Sequence, residues 1–359
     1  MKKEAAYLSL YKRIRDEILA GIYPYGSKIP SKRQISDDLG LSVITVEHAI
    51  EILTEEGYIS PVERSGYYVS YRERDGFASV SEQSISPAII RNAANNGESS
   101  DMSSLFPFSV FAKTMRRVLS EYGDNILIKS PNNGCQELRS SISDYLARSR
   151  GIFVSMDQII IGSGAEYLYG LLVQMLGRDL IYGIEKPSYE KIEQVYRAND
   201  VKLRLLSLGS DGILSRELSE TDADVLHITP YRSYPSGVTA SAAKRREYIR
   251  WSNEKNGRYI VEDDFESEFT PSTKPEETVF SLSDKSNVIY INTFSKTIAP
   301  SIRTGYMVLP ERLLSVYEKQ AGFYSCSVPS FDQYVLAEFI AGGDFERHIN
   351  RVRRRNRNR

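Results

Sequence analysis

The 359-residue sequence has little of what would place it in a membrane or an oxidising compartment. Its apolar runs fall well short of the ~20 residues that a membrane-spanning helix needs. Only two cysteines occur, Cys135 and Cys326, and their separation fits neither a metal site nor a disulfide framework. The residues after Met1 are mixed and polar, unlike a signal sequence. We therefore expect a cytoplasmic protein with no metal centre and no membrane contact.

A strong net charge is also absent, since 46 lysines and arginines face 47 aspartates and glutamates. The overall charge gives no support for nucleic-acid binding, so that function has to be argued from local architecture. The apolar fraction of 41% and the charged fraction of 26% are those of a globular protein with a sizeable core. A chain of this length predicts two or three domains.

Three stretches of the chain differ in pattern. Residues 1–72 carry short helical patterns and end in an aromatic strand pair, whereas residues 73–101 are rich in Ser, Asn, Gly and acidic residues and are predicted to be a linker. Across residues 102–359, apolar strand-like runs alternate with helical patterns. That alternation predicts an α/β domain with a mixed, mostly parallel sheet.

The first stretch has the order helix, helix, turn, helix, hairpin. Ser31 is a predicted N-cap of the second helix, and Gly40 lies in the turn before the third. The strand pair turns around residues 63–65. This order predicts an α+β winged helix-turn-helix whose third helix enters the major groove of DNA. Apolar positions at helical spacing predict the buried faces of the first and third helices: Tyr7, Leu10, Tyr11, Ile14 and Ile18, and then Val46, Ala49, Ile50 and Leu53.

Residues 26–35 and 39–46 closely resemble the GntR-type winged helix. The resemblance implies DNA contacts from the second helix, from the start of the third helix and from the wing. Residues at outward positions of the third helix and in the wing turn join this set. The candidate DNA-binding residues are Arg33, Ser42, Val43, Thr45, His48, Arg64, Ser65 and Gly66.

Two positions depart from the GntR pattern, because Val43 stands where the family usually has arginine and Glu47 is acidic. Residues 1–72 contain ten basic and ten acidic residues, so neutralisation of DNA phosphates by one subunit is modest and two subunits are needed. Val43 or Ile44 could instead contact a thymine methyl group. The alternative is that this small helical unit serves as a protein-interaction module.

Three segments of the third stretch carry polar groups at the ends of predicted strands. Residues 159–165 run from a strand through a Gly-rich turn into a helix, where free backbone N–H groups suit a phosphate. The strand at 259–264 ends in three carboxylates. They follow the carboxyl end of the strand, the edge of the sheet at which α/β proteins place their sites. The strand at 288–293 leads to Lys296, and Arg303 follows seven residues later.

These segments together resemble the fold-type I aminotransferases that use pyridoxal 5'-phosphate (PLP). With the winged helix attached, the chain from about residue 5 to residue 355 resembles the MocR/GabR-type transcription regulators. The matching segments are 187–189, 229–238, 261–269 and 293–306.

The resemblance implies a role for each matching residue. Lys296 forms the Schiff base with PLP, for which an amine with a reference pKa near 10.4 has to lose its proton. Asp263 pairs with the pyridine nitrogen. Tyr189 stacks on the ring, and Phe265 lies beside it. The groups that hold the phosphate are Ser163, Gly164, Ala165, Ser295 and Arg303.

Departures from the aminotransferase pattern bear on turnover. Relatives usually have tyrosine at Phe265, and aminotransferases proper have asparagine at Tyr234, so two partners of the PLP 3-hydroxyl are lost or changed. Cofactor binding survives such losses better than efficient turnover does. Residues 345–354 resemble the start of the small domain, most of which we expect to be missing because the chain is C-terminally truncated. The basic residues 353–359 are either a helix cut short or an arm for DNA.

Three functions remain open on the sequence alone. The leading one is a homodimeric transcription regulator in which PLP, or an amino compound that reacts with it, alters binding to a promoter operator. The second is a working aminotransferase with an accessory DNA-binding domain. The third is a regulator whose aminotransferase-like domain serves only for dimerisation.

Overall fold

The computed structural model describes residues 6–62, 65–71, 106–264, 267–270 and 277–357. The chain divides into two compact units, Met1–Asn95 and Asn96–Arg359. The predicted linker at 73–101 lies outside the described residues, so its assignment stays a prediction.

The first unit is the predicted winged helix, with three helices followed by an antiparallel strand pair. Its buried side chains include every apolar position predicted for the third helix, and all those predicted for the first except Tyr7, which is half-buried. These residues form one core under the helix-turn-helix. The elements are α1 (Ala6–Leu19), α2 (Lys32–Leu39), α3 (Val43–Glu55), β1 (Ile59–Val62) and β2 (Gly66–Val69).

Side-chain caps define the ends of the second and third helices. The Ser31 hydroxyl accepts a hydrogen bond from the Gln34 backbone N–H at 3.2 Å, and the Ser42 hydroxyl accepts one from the Thr45 N–H at 3.2 Å. Between them, Gly40 ends α2 in the left-handed region at φ 62°. The sequence Gly40-Leu41-Ser42 therefore sets the sharp turn that brings α3 across α2.

The second unit has a seven-stranded sheet with helices packed against it. Its strands are β3 (Ile159–Gly162), β4 (Ile181–Lys186), β5 (Lys202–Ser207), β6 (Val225–Ile228), β7 (Tyr259–Asp263), β8 (Val288–Thr293) and β9 (Gly305–Val308). Its helices are α4 (Phe108–Tyr122), α5 (Gln136–Arg150), α6 (Ala165–Leu176), α7 (Glu190–Ala198), α8 (Ser215–Glu220), α9 (Ala242–Asn253), α10 (Val279–Leu282), α11 (Phe294–Thr297), α12 (Glu311–Gln320), α13 (Ser330–Ala341) and α14 (Asp344–Arg357).

The strand order is β3-β9-β8-β7-β6-β4-β5. Strand β9 runs antiparallel to both of its neighbours, and the pairs from β8 to β5 are parallel. This confirms the predicted mixed, mostly parallel sheet. Successive residues of β7 point to opposite faces: Ile260 packs in one apolar core and Val261 in the other.

Helix α14 packs its apolar stripe against this unit, since Phe345, Ile349 and Val352 are buried. In the described part of the chain, no helix is long and apolar enough to cross a membrane.

Candidate cofactor site and DNA-binding surface

The strand register brings three distant segments to one edge of the sheet. Gly305, the first residue of β9, pairs with Gly162 at the end of β3 and with Thr293 at the end of β8. The Gly-rich turn after β3, the lysine segment after β8 and the arginine before β9 therefore meet. Asp263, the last residue of β7, pairs with Ile291 of β8 and lies at the same edge. The topology thus brings Asp263, the Gly-rich turn and the segments that carry Lys296 and Arg303 to this edge.

The turn after β3 needs glycine at position 164. Gly164 has φ +94°, and a Cβ atom there would lie 3.0 Å from Nη2 of Arg303. The Arg303 guanidinium thus lies directly over the backbone that opens α6. The Ser163 N–H donates to the Ser327 hydroxyl at 3.0 Å, and the Ser295 hydroxyl donates to the Ile302 carbonyl at 2.9 Å. Ser327 was not foreseen from the sequence, because it lies in an irregular loop.

A carboxylate also lies at this turn. Glu166, in the first turn of α6, accepts a hydrogen bond from Arg303 Nη2 at 2.7 Å and another from Lys191 Nζ at 3.0 Å. Partial burial acts to raise the pKa of Glu166, but hydrogen bonds from its own backbone N–H, Lys191 and Arg303 outweigh this and lower it. Glu166 is therefore an anion in contact with the arginine predicted to hold the phosphate.

Asp263 lies in a buried polar network on one face of the sheet. The Tyr169 hydroxyl donates to Asp263 Oδ2, and Nε2 of His227 lies 3.7 Å from the same oxygen. The hydroxyl of Tyr196 is 2.7 Å from Nδ1 of His227. Burial, followed by the nearby Asp263 charge, raises the pKa of Tyr169 well above its usual value, so its proton stays in place. The second carboxylate oxygen, Oδ1, is buried and has no hydrogen-bond partner among the described residues.

The three acidic residues at the end of β7 do not act together, because they alternate between faces. Glu262 accepts from the Val279 and Phe280 N–H groups at 2.8 and 2.7 Å, at the start of α10. Asp264 forms a buried ion pair with Arg150. Only Asp263 shares the face of Val261 and Tyr169. The period-2 alternation of a strand is the sequence signal that separates these carboxylates.

A further buried carboxyl group, at the end of β4, was not foreseen from the sequence. The Ser233 hydroxyl donates to Glu185 Oε2 at 2.5 Å. Burial raises the pKa of Glu185 to about 8, so it holds a proton at neutral pH. This contact fixes the segment that carries Tyr234.

The remaining predicted cofactor residues are more open to solvent. Lys296 is exposed on α11, directly after β8. Tyr189 is 38% exposed and meets Tyr234 edge to face, with ring centroids 6.3 Å apart. Phe265 lies outside the described residues, so its predicted place beside the ring stays a prediction.

The surface at the start of α3 is apolar and exposed. Val43 is 47% exposed and Ile44 is 79% exposed. The Ser42 hydroxyl, which caps the helix, lies 2.8 Å from the Thr45 hydroxyl. The His48 ring stacks on Tyr7 with centroids 4.3 Å apart, which ties α3 to α1. Arg33 is exposed on the neighbouring helix α2.

Glu47 on α3 has a basic partner. Lys32 Nζ lies 2.6 Å from Glu47 Oε1, and this contact raises the pKa of Lys32. Lys32 thus offsets the negative charge of Glu47, the residue that departs from the family pattern. In the wing, the Ser65 and Tyr68 hydroxyls are 2.7 Å apart, and Gly66 begins β2 at φ +114°. The predicted wing contact Arg64 lies outside the described residues.

Comparison with known proteins assigns a family to each unit. Residues 6–69 match the bacterial regulatory proteins of the gntR family, and residues 95–359 match the aminotransferases of class I and II. The HTH-type transcriptional regulator YdeL of Bacillus subtilis, which is uncharacterized, is 33% identical over 97% of this chain and 76% of its own length.

Two relatives from other bacteria also align along almost the whole chain. The probable rhizopine catabolism regulatory protein MocR of Rhizobium meliloti is 27% identical over 96% of this chain and 73% of its own. The pyridoxine biosynthesis regulator PdxR of Corynebacterium glutamicum is 26% identical over 98% of this chain and 76% of its own.

Solved structures resemble the second unit. A kynurenine aminotransferase of Pyrococcus horikoshii is 26% identical with a TM-score of 0.63, covering 70% of this chain and 64% of the enzyme. A multiple substrate aminotransferase of Thermococcus profundus has a TM-score of 0.65 at 21% identity, covering 79% of this chain and 75% of the enzyme, which shows the fold alone.

Relatives that align along the whole chain are regulators rather than free-standing enzymes, so an aminotransferase with an accessory DNA-binding domain is not favoured. Both family matches and the whole-chain identity to YdeL give one assignment. The chain belongs to the MocR/GabR-type transcription regulators, DNA-binding proteins that join a GntR-type winged helix to an aminotransferase-like domain.

Proposed function

We propose that the second unit binds PLP through Lys296 and Asp263, and that PLP, or an amino compound reacting with it, controls operator binding by the winged helices of a homodimer. The observation that supports this most directly is Asp263 Oδ1, which is buried without a hydrogen-bond partner among the described residues, at the end of β7 beside the strand that leads to Lys296. A regulator fold alone gives no reason to bury such an acceptor.

The residues present fit PLP at its ring nitrogen. Burying a carboxylate oxygen without a partner is costly, and a protonated ring nitrogen would supply the missing donor. Tyr169 donates to the other oxygen, and His227 lies beside it, so the carboxylate is held in one orientation. These contacts leave Oδ1 as the oxygen that can accept from a ligand.

The residues also fit PLP at its phosphate. The Ala165 backbone N–H lies at the start of α6, the Gly164 N–H bonds to the Gly162 carbonyl at 2.9 Å, and Arg303 lies over this turn. A helix N-terminus together with a guanidinium suits a dianion. Ser163 adds a hydroxyl group at this turn, and Ser295 adds one on α11, where it donates to the Ile302 carbonyl. When bound, PLP would supply an electron-withdrawing ring joined to an amine.

The chain's own groups have defined tasks in this proposal. Lys296 has to present an unprotonated amine to the cofactor aldehyde, and its exposed position after β8 lets the cofactor and a small amine that competes for the aldehyde reach it from solvent. Tyr189 offers an exposed ring face for stacking. Phe265 lacks a hydroxyl to hold a proton near the cofactor, which favours sensing over sustained turnover.

Operator binding is assigned to α2, α3 and the wing. Each winged helix carries balanced charge, so its contact with DNA phosphates is weak and two copies on one operator raise the affinity. We assign residues 73–101 as the linker between the units. For PLP to act as an effector, it has to bind the DNA-competent arrangement more or less tightly than the other arrangement.

The test is a selection of binding sites from random DNA with the full chain, followed by footprinting with and without PLP. We expect one enriched sequence with two half-sites and an occupancy that changes when PLP is added. Lys296→Ala should keep the footprint and lose the response to PLP. A footprint that is the same at all PLP concentrations would contradict control by PLP, and no enriched sequence would contradict operator recognition.

A further inference from the structure

The strongest feature that the proposed function leaves unused is Glu166. Its carboxylate bonds to Arg303 at 2.7 Å and to its own backbone N–H in the first turn of α6. These are the two kinds of donor, a guanidinium and a helix N-terminal N–H, that a bound phosphate would use. We propose that Glu166 is an internal competitor of the cofactor phosphate, which weakens PLP binding and so helps set the PLP concentration at which the regulator responds.

The position of Arg303 makes this competition direct. A Cβ atom on Gly164 would lie only 3.0 Å from Nη2 of Arg303. One guanidinium therefore covers the turn and also bonds to Glu166. A phosphate held by the turn and Arg303 would lie close to the Glu166 carboxylate, which already bonds to the same guanidinium. Like charges at this distance repel, and the 53% exposure of Arg303 keeps the effect moderate.

Lys191 gives the displaced carboxylate a second partner. Its Nζ lies 3.0 Å from Glu166 Oε1, while Arg303 bonds to Oε2. When a phosphate takes the guanidinium, Glu166 keeps an ion pair with Lys191 on α7. The carboxylate can therefore give up Arg303 without being left unpaired, which makes the competition reversible.

This inference rests on the proposed PLP site, and its test compares PLP with pyridoxal, which lacks the phosphate. We expect Glu166→Gln to lower the Kd for PLP by about three- to tenfold and to leave the Kd for pyridoxal within about twofold. A merely structural effect of the substitution would move both values together. Equilibrium dialysis on the full chain measures them without any assay of activity.

Two controls make the result specific. Glu193→Gln makes the same change in an exposed ion pair with Arg197 on α7, away from the turn, and should leave both Kd values unchanged. Raising the ionic strength should narrow the difference in PLP affinity between wild type and Glu166→Gln, because exposed charges are screened. Lys191→Met should weaken PLP binding about twofold more in the wild type than in Glu166→Gln, since the two residues are coupled.

The outcomes separate this inference from the proposed function. If wild type binds PLP and Glu166→Gln binds it equally or more weakly, the competition is wrong while the cofactor site stands. If neither protein binds PLP, the proposed cofactor site is wrong and the inference with it. A selective gain for PLP over pyridoxal supports both.

Discussion

In the winged-helix unit, the apolar side chains predicted to meet DNA are exposed, Val43 by 47% and Ile44 by 79%, whereas in the second unit Asp263 is 4% exposed and its partner Tyr169 only 1%. The DNA-facing surface is held from behind, by a core of residues such as Leu53 that lie on the other side of α3. The cofactor site is instead held by polar contacts to the functional group itself. In the first unit, core substitutions should therefore change stability and surface substitutions should change DNA binding. In the second unit, a substitution at the cofactor site should change both stability and PLP binding.

The largest expected effect is a loss of stability in the first unit alone. Leu53 is fully buried, and Leu53→Ala should lower the stability of the winged helix by about 2–5 kcal/mol through lost burial and a cavity. The sequence has one tryptophan, Trp251, buried in α9 of the second unit. Urea unfolding followed by Trp251 fluorescence should thus be unchanged, while DNA binding is lost at lower urea. A matching shift in the tryptophan transition would show that the units do not unfold separately.

The next largest effect is expected on PLP binding by the second unit. Asp263→Asn removes the charge that would pair with a ring N–H and should weaken PLP binding about 10- to 100-fold, the value of a charge-assisted hydrogen bond. Tyr169→Phe keeps the charge and should cost only a few-fold. Asp222→Asn, in an exposed ion pair with Arg204, is the matched control and should change nothing. Equal PLP titrations for Asp263→Asn and wild type would rule out this carboxylate as the ring partner.

A pH effect should also differ between the units. Burial raises the pKa of Glu185 to about 8, above its unfolded value near 4.3. Between these values the folded state keeps a proton on Glu185 that the unfolded state has released, so Glu185 lowers the free energy of unfolding as pH rises, by up to about 1.4 kcal/mol per pH unit.

Unfolding followed by Trp251 fluorescence between pH 5 and 8 measures this slope, and Glu185→Gln should make it shallower. The winged-helix unit offers a contrast, because none of the carboxyl groups in its described part is buried. An identical slope in wild type and Glu185→Gln would mean that Glu185 is already ionised in the folded protein.

The smallest expected effect concerns the exposed surface. Ile44→Ala should leave urea stability unchanged and weaken operator binding by about 1 kcal/mol, or roughly fivefold, if its side chain packs on a thymine methyl group. Replacing thymine by deoxyuracil in the selected operator should remove the difference between the two proteins. Equal loss on both DNAs would show that Ile44 contacts something other than a methyl group.

The sequence was sufficient for the elements whose periodicity is local. The buried faces of α1 (except Tyr7) and α3, the cap Ser31, and the alternation of strands and helices in the second unit are predicted from spacing and are present. Asp263, Lys296 and Arg303 were predicted from motifs. Their meeting at one edge depends on the pairing of Gly305 with Gly162 and Thr293.

Contacts between side chains far apart in sequence could not be predicted. Tyr169 and His227 reach Asp263 from α6 and β6, and neither has a local pattern that marks it as polar support. Glu166 gives no distinct signal in the sequence, because an acidic residue in the first turn of a helix is usually explained by the helix dipole. The contact with Arg303 is the observation from which we propose a second role.

The most direct test of the central claim is reduction of the PLP-treated protein with borohydride, followed by peptide mass mapping. The account predicts that the mass of the cofactor is fixed to Lys296, and that Lys296→Ala takes up none at that peptide. A wild-type protein that carries no label, or carries it only on other lysines, would contradict the account.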